Sequence, residues 1–355
     1  AGVLVTGNVM VSPDGKGSIN DVVLDSEQSL PMLQRWAKAG TQNDTLLIMQ
    51  INHAGKQSPK VLSPTPVAPS AVPLVGMESF INPPRELSET EIEKLITRFA
   101  RTAKLAEQAG FSGVQIHGAH GYLISQFLSP HHNRRDDKWG GSLENRMRFL
   151  VEIHHAIRAA VGKDFLVGLK LNSADFQKGG FDENDSIQVV QKMSELGIDF
   201  MEISGGNYES PEMFSEKAST QKREAFFLDY AEKARAVCQA PLIITGGFRS
   251  QAAMNDALQS GHLDLVGVAR PFVLIPDLPK RMQNGTYTAP TVGRIKTGFA
   301  AVDKKIGGVL ELEWYMAQMK LIVQGKQPNP NLSPWKVLLK TLWENGKAGL
   351  STGRS

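Results

Sequence analysis

The chain has 355 residues, of which 41% are apolar and 21% charged, an ordinary composition with enough material for a large core. Its net charge of +3 comes from scattered Lys and Arg with no basic stripe, which argues against a nucleic-acid footprint. The single cysteine, Cys238, excludes an internal disulfide framework and any Cys-ligated zinc or iron–sulfur cluster, and no run approaches the roughly 20 apolar residues of a membrane span.

No charged segment leading into an apolar stretch opens the chain, so a cytoplasmic location is the default expectation. From there, short apolar, β-branched runs alternate with longer helical patterns, the rhythm of βαβ units on a parallel sheet. The strand candidates are Gly2–Thr6, Thr45–Ile51, Ser112–His117, Phe165–Asn172, Ile198–Ser204, Pro241–Thr245 and Leu263–Ala269. All are almost continuously apolar, as expected where both faces of a sheet are covered.

Helices are expected between them. Ser88-Glu-Thr-Glu91 reads as a capping box opening a helix that ends near Gly110. Ser142–Ala160, Asn184–Leu196 (stopped by Gly197), Ala225–Cys238 and Ser250–Leu258 also have helical spacing. Two stretches break the rhythm and are candidate site loops: the proline-rich 52–84 and the polar 118–141. Residues 291–355, with Trp314, Trp335 and Trp343, read as a helical extension of a 1–290 barrel domain. It would pack on the outside of that domain or on a partner subunit, so a homo-oligomer is one expected state.

The fold class implied is α/β, a (β/α)8 TIM barrel. Seven strands are counted where a closed barrel has eight, and the missing first strand is expected before residue 1. A doubly wound open sheet is the rival. It would place a glycine-rich phosphate turn after its first strand, and Thr6-Gly-Asn-Val-Met-Val-Ser-Pro lacks that pattern.

The densest polar cluster is His117-Gly-Ala-His120-Gly-Tyr122 at a strand end. Two imidazoles can hold an anionic oxygen and a phenol can deliver a proton. Read by themselves, the residues leave open structural histidines or a metal site, the latter weakened by the lack of a nearby carboxylate. No metal is expected.

The run Val114-Gln-Ile-His-Gly-Ala-His-Gly-Tyr-Leu-Ile-Ser-Gln-Phe-Leu-Ser-Pro130, continued through Asn133-Arg-Arg-Asp-Asp-Lys-Trp-Gly-Gly-Ser-Leu-Glu-Asn-Arg146, resembles the signature of the Old Yellow Enzyme (NADH:flavin oxidoreductase) family. The likeness extends from residue 1 to about residue 275. It implies FMN as cofactor, NADH or NADPH as reductant, and ping-pong hydride transfer from flavin N5 to an activated alkene such as an enone. By this resemblance His117 and His120 bind the substrate oxygen, where donors stabilise the charge that develops as hydride adds. Tyr122 is the implied proton donor.

The resemblance also assigns cofactor contacts. Gln50 would pair with the flavin pyrimidine edge, because an amide carries both a donor and an acceptor. Lys170 stands where the family usually has arginine beside flavin N1 and O2, keeping the charge but losing the fork. Gly246, Gly247, Ala269 and Arg270 would bind phosphate after the last two strands, with Gly7 and Asn8 at the ring and Ser204-Gly-Gly206 on the pocket wall. Ser142 is expected to cap its helix, with Glu144 and Arg146 pairing locally.

A nitro-compound reductase or an NADH oxidase would use the same site, and an activated alkene or nitro compound is the expected small-molecule partner. A Schiff-base lyase using Lys170, or an inactive barrel fragment, are the readings from other classes.

Overall fold

The computed structural model describes residues 1–205 and 227–345. Ten strands are described: β1 (Val3–Met10), β2 (Val22–Val23), β3 (Leu46–Asn52), β4 (Val67–Ala68), β5 (Arg85–Glu86), β6 (Gly113–Gly118), β7 (Leu166–Asn172), β8 (Phe200–Ser204), β9 (Leu242–Thr245) and β10 (Leu265–Gly267). Eight of them form one sheet in the order β10-β9-β8-β7-β6-β3-β1-β2, and every pairing in it is parallel. β10 pairs only with β9, so among the described residues the sheet is open.

The seven strands read from the sequence are all present, in order. The eighth member, Val22–Val23, lies outside that reading: it pairs with Val9 and Met10, because β1 runs four residues past the predicted Thr6 end. Between Val5 and Asn8 the register of β1 on β3 shifts, the mark of a bulge.

The two faces of the sheet bury different things. One alternate set of side chains (Leu47, Met49 and Ile51 on β3, Val114 and Ile116 on β6, Val167, Leu169 and Leu171 on β7) joins the main core with the helices. Each fully buried Leu, Ile or Val there contributes about 1.5–3 kcal/mol. The intervening residues face the other way. Ile48, Phe200 and Ile243 form a separate buried cluster with Val3, Leu166 and Leu265, a first inner layer. The next inner layer, one pleat further along each strand, is polar. That alternation is what turns an apolar sheet into a site.

The helices follow their end signals. Ser88 and Glu91 make the predicted capping box of Glu89–Ala109, and Gly110 ends it at φ +89°. Ser142 caps Leu143–Val161 by accepting from the Asn145 N–H. Arg146 does not pair with Glu144 as expected; it reaches Asp185 at 2.5 Å and the carbonyls of Leu128 and Gly141. Buried and aimed across the loop, its fork ties three segments together. The helix predicted at 225–238 is described as Leu228–Val237, and Gly206 and residues 225–226 lie outside the described residues.

Beyond residue 290, helices Ala300–Val323 and Pro334–Asn345 share an apolar cluster built on Ile306, Leu310, Trp314, Val337 and Leu338, with Leu274 and Val292 packed against it. Trp314 is buried and donates to the Leu332 carbonyl, whereas Trp343 is 88% exposed. Among the described residues no helix is long and apolar enough to cross a membrane.

Candidate active site

The polar inner layer is assembled by register. In the parallel ladder Gln50 (β3) stands beside Gln115 (β6), His117 (β6) beside Lys170 (β7), and Lys170 beside Glu202 (β8). With a side-chain period of two, Asn52, Asn172 and Ser204 sit one step nearer the carboxyl ends on the same face. Gln50 Nε2 donates to Gln115 Oε1 at 2.7 Å, Gln115 Nε2 donates to Glu202 Oε2 at 2.8 Å, and Lys170 Nζ lies 2.8 Å from Glu202 Oε1. Burial alone would raise the Glu202 carboxyl, but Lys170, with the Thr245 and Gln115 side chains, brings it below its ordinary value.

Above this layer the chain turns sharply. Ala119–Tyr122 closes with a Tyr122 N–H to Ala119 carbonyl bond, and its two central residues, His120 and Gly121, have φ of +60° and +76°. The turn brings three rings together: His117 and His120 at 5.2 Å between centroids, His117 and Tyr122 at 4.9 Å, both edge-on. His117 Nδ1 accepts from the Ala119 N–H at 3.2 Å, which places the proton of the neutral ring on Nε2. His120 Nε2 lies 2.8 Å from Ser204 Oγ, and its buried Nδ1 has no hydrogen-bond partner.

Burial, helped by the neighbouring charge of Lys170, holds both imidazoles neutral; His120 is pushed down to about 3 and His117 well below its ordinary value. Two buried neutral imidazoles with a donor edge to offer suit an oxygen that gains negative charge.

The proline-rich loop locks this turn from outside. Gln57 Nε2 donates to the His120 carbonyl, Gln126 Nε2 to the carbonyls of Ala54 and Gly121, and the Leu123 N–H to the His53 carbonyl. Gly55, at φ +58°, lies so close to the Gln126 amide that a Cβ there would displace it.

The other predicted residues are placed as follows. Asn8 lies beside the cluster, its Nδ2 making a long 3.5 Å contact to the Tyr122 hydroxyl oxygen, while its buried Oδ1 has no partner. Gly7 sits at the β1 bulge facing open space. Gly246 and Gly247 follow β9 with φ of +137° and +83°, a bare main-chain turn that side-chain-bearing residues resist. Ala269 precedes the short helix Arg270–Leu274, beyond β10. Arg270 is half-exposed and paired at 3.0 Å with the buried Glu311 of the extension, a partner the sequence did not suggest. Gln115, Asn172, Glu202 and Thr245 were also missed. For Gln115, Asn172 and Glu202 the signal was present: a polar residue in an apolar strand, two positions from another polar residue, marks an inward-facing pair. Among the described residues, no group of three or more His, Cys, Asp or Glu could hold a metal ion.

A parallel α/β barrel sheet with its polar cluster at the carboxyl ends of the strands defines an enzyme of the TIM-barrel class. A sequence profile of the NADH:flavin oxidoreductase / NADH oxidase family matches residues 1–289. "NADH-dependent flavin oxidoreductase iliE" of Hypocrea jecorina is 38% identical over 310 residues, covering 79% of this chain and 76% of its own. The protein of the same name from Neonectria sp. is 39% identical over 307 residues, and there the matched region spans only 40% of the relative's length against 79% of this chain. The Old Yellow Enzyme homologue of Zymomonas mobilis superposes with a TM-score of 0.68 at 26% identity, over 82% of each chain. The chain belongs to the NADH:flavin oxidoreductase / NADH oxidase family, that of Old Yellow Enzyme.

The site fits the family's FMN. An amide acceptor at Gln50, an ammonium at Lys170, the orphaned Asn8 Oδ1 and the bare Gly246-Gly247 turn offer the mixture of donors, acceptors and open main chain that a flavin ring and its phosphate require.

Proposed function

We propose that this chain binds FMN and reduces activated alkenes, enones and related α,β-unsaturated compounds, at the expense of NADH or NADPH. The observation that carries the reading is the convergence of His117 of β6, beside Lys170 of β7, with His120 and Tyr122 of the turn that follows, 4.9–5.2 Å between ring centroids. Bound FMN supplies a two-electron carrier between reduced nicotinamide and the acceptor.

The protein's own groups have separable tasks. His117 through Nε2–H and His120 through Nδ1 donate to the substrate oxygen, and Tyr122 holds the proton destined for the α-carbon, the neighbour of the carbonyl carbon. Asn8 donates to the Tyr122 oxygen at 3.5 Å, which helps to place that hydroxyl beside the two imidazoles. Gln50 and Lys170 hold the pyrimidine edge of the cofactor; Gly246, Gly247, Ala269 and Arg270 hold its phosphate, and Gly7 lies at its rim. The burial of this turn under residues 53–58 keeps water from the proton on Tyr122.

The lyase alternative loses its nucleophile. Lys170 is ion-paired with Glu202, and an ammonium so held has no lone pair for a carbonyl carbon.

The test is direct. Purified full-length chain should be yellow or become so with FMN, bleach anaerobically with NADH or NADPH, and recover its colour when cyclohexenone is added. Protein that stays colourless after reconstitution with FMN sinks the proposal. Colour that returns with oxygen or a nitro compound but not with any enone moves the substrate class.

A further inference from the structure

Four strands contribute to one buried chain of polar groups, and its direction is fixed by chemistry. Glu202 is 6% exposed and ionised, so its oxygens only accept. Gln115 must therefore turn its NH2 toward Glu202, which leaves its carbonyl oxygen for Gln50. Gln50 must in turn spend an N–H on Gln115, and its own Oε1 becomes the group left for a donor in the site. At the other carboxylate oxygen, Glu202 holds the Lys170 ammonium at 2.8 Å. One carboxylate is thus linked to both of the residues assigned above to the pyrimidine edge, directly to Lys170 and through Gln115 to Gln50.

The sheet makes room for this reach. Gln115 and Glu202 lie on β6 and β8, two strands apart, roughly 9–10 Å at the usual spacing. The β7 residue in register with Gln115 is Gly168, whose missing side chain leaves the gap filled by the Phe200 ring, the first inner layer. A larger residue at 168 would meet the Phe200 ring.

We propose that Glu202 is a positioning residue of the cofactor site: through Gln115 it orients the Gln50 amide so that Oε1 accepts from the cofactor, and through Lys170 it sets how much positive charge the cofactor feels. The inference rests on the FMN reading. It makes Glu202, which touches no part of the reacting atoms, a determinant of the reduction potential. The reduced cofactor carries added negative charge, which Lys170 stabilises and Glu202 offsets. Removing the Glu202 charge therefore raises the potential.

The experiment compares the full chain with E202Q and E202D, loaded with FMN, by anaerobic redox titration against a reference dye. E202Q is expected to shift the reduction equilibrium at least tenfold toward the reduced form, about 30 mV for a two-electron couple. E202D, which keeps the charge, stays near wild type. Q115M, which cuts the relay but keeps the Lys170–Glu202 pair, weakens FMN binding in a fluorescence titration and moves the potential less than E202Q. If E202Q does not fold, Q115M and E202D decide: unchanged FMN affinity in Q115M, or a rise in E202D as large as a full charge loss, overturns the proposal. FMN bound with an unmoved potential in folded E202Q overturns it while leaving the FMN reading intact. A wild-type chain that takes up no FMN overturns both.

Discussion

The main-chain N–H of His120 donates to Asn172 Oδ1 at 3.1 Å, and this bond spans the turn to β7 at a residue whose φ is +60°. A left-handed conformation costs an ordinary side-chain-bearing residue about 1–2 kcal/mol, and the Asn172 bond offsets that cost. Two consequences can be measured. Asn172→Leu should destabilise the protein by about 1–3 kcal/mol in urea unfolding, the cost of leaving a buried N–H unmade. His120→Asn should fold with near-native stability, because asparagine tolerates this conformation, while His120→Val should not, because its branched Cβ crowds the carbonyl. Equal stability for the Asn and Val variants would show that the turn is not strained.

Tyr122 is placed by the same turn, its ring against His117 and its hydroxyl next to Asn8. Tyr122→Phe keeps the ring contact and removes the hydroxyl that carries the proton. The expected outcome is a loss of about 10²–10⁴-fold in reoxidation by an enone, with reduction by NAD(P)H unchanged. Stopped-flow measurement of the two half-reactions separates them. An unchanged enone half-reaction removes Tyr122 from the proton-donor role.

The fold was legible because seven apolar runs and their end signals are local: the Ser88 box, Ser142 and Gly110 act within one helical turn of themselves. The loop bearing His117, His120 and Tyr122 was legible because a dense polar run at a strand end has few uses. Gln115 and Glu202 were hidden for a different reason. Each stands two positions from another polar residue, which marks the inward face, but its partner stands two strands and 87 residues away. Only the parallel register brings them together. Val22–Val23 and the Arg270–Glu311 pair were hidden likewise, since each depends on a segment that closes from elsewhere in the chain.

Gly168 offers a packing test independent of the chemistry. A Cβ at this position would collide with the Phe200 ring, whose neighbours Ile48 and Ile243 fill the first inner layer. Gly168→Ala should cost about 1–3 kcal/mol by overpacking. Adding Phe200→Leu should recover part of that loss, giving a favourable coupling in the double-mutant cycle. Additive effects would mean that the alanine is accommodated by moving β7 rather than the ring.

Buried histidines set the acid limit. Burial pushes His53 and His154 down to about 4 and His120 to about 3, and it holds His117 well below its ordinary range; like-charged neighbours such as Arg98, Arg158 and Lys170 add to the effect. The folded protein keeps these rings neutral, whereas the unfolded chain protonates them near pH 6.5. The unfolded state therefore binds more protons in this window. Stability is complete above pH 6.5 and falls as pH drops toward 4, by about 1 kcal/mol per histidine over the first unit. His154 isolates the effect, because both of its ring nitrogens are buried without a partner and it lies outside the site. His154→Leu should match or exceed wild-type stability at pH 7.5, since replacing an unsatisfied polar ring by an apolar group is neutral or favourable. Its advantage should grow by about 1 kcal/mol at pH 5.5, read from urea midpoints at both values. A variant whose advantage is the same at the two pH values would mean that His154 is protonated in the folded protein as readily as in the unfolded chain.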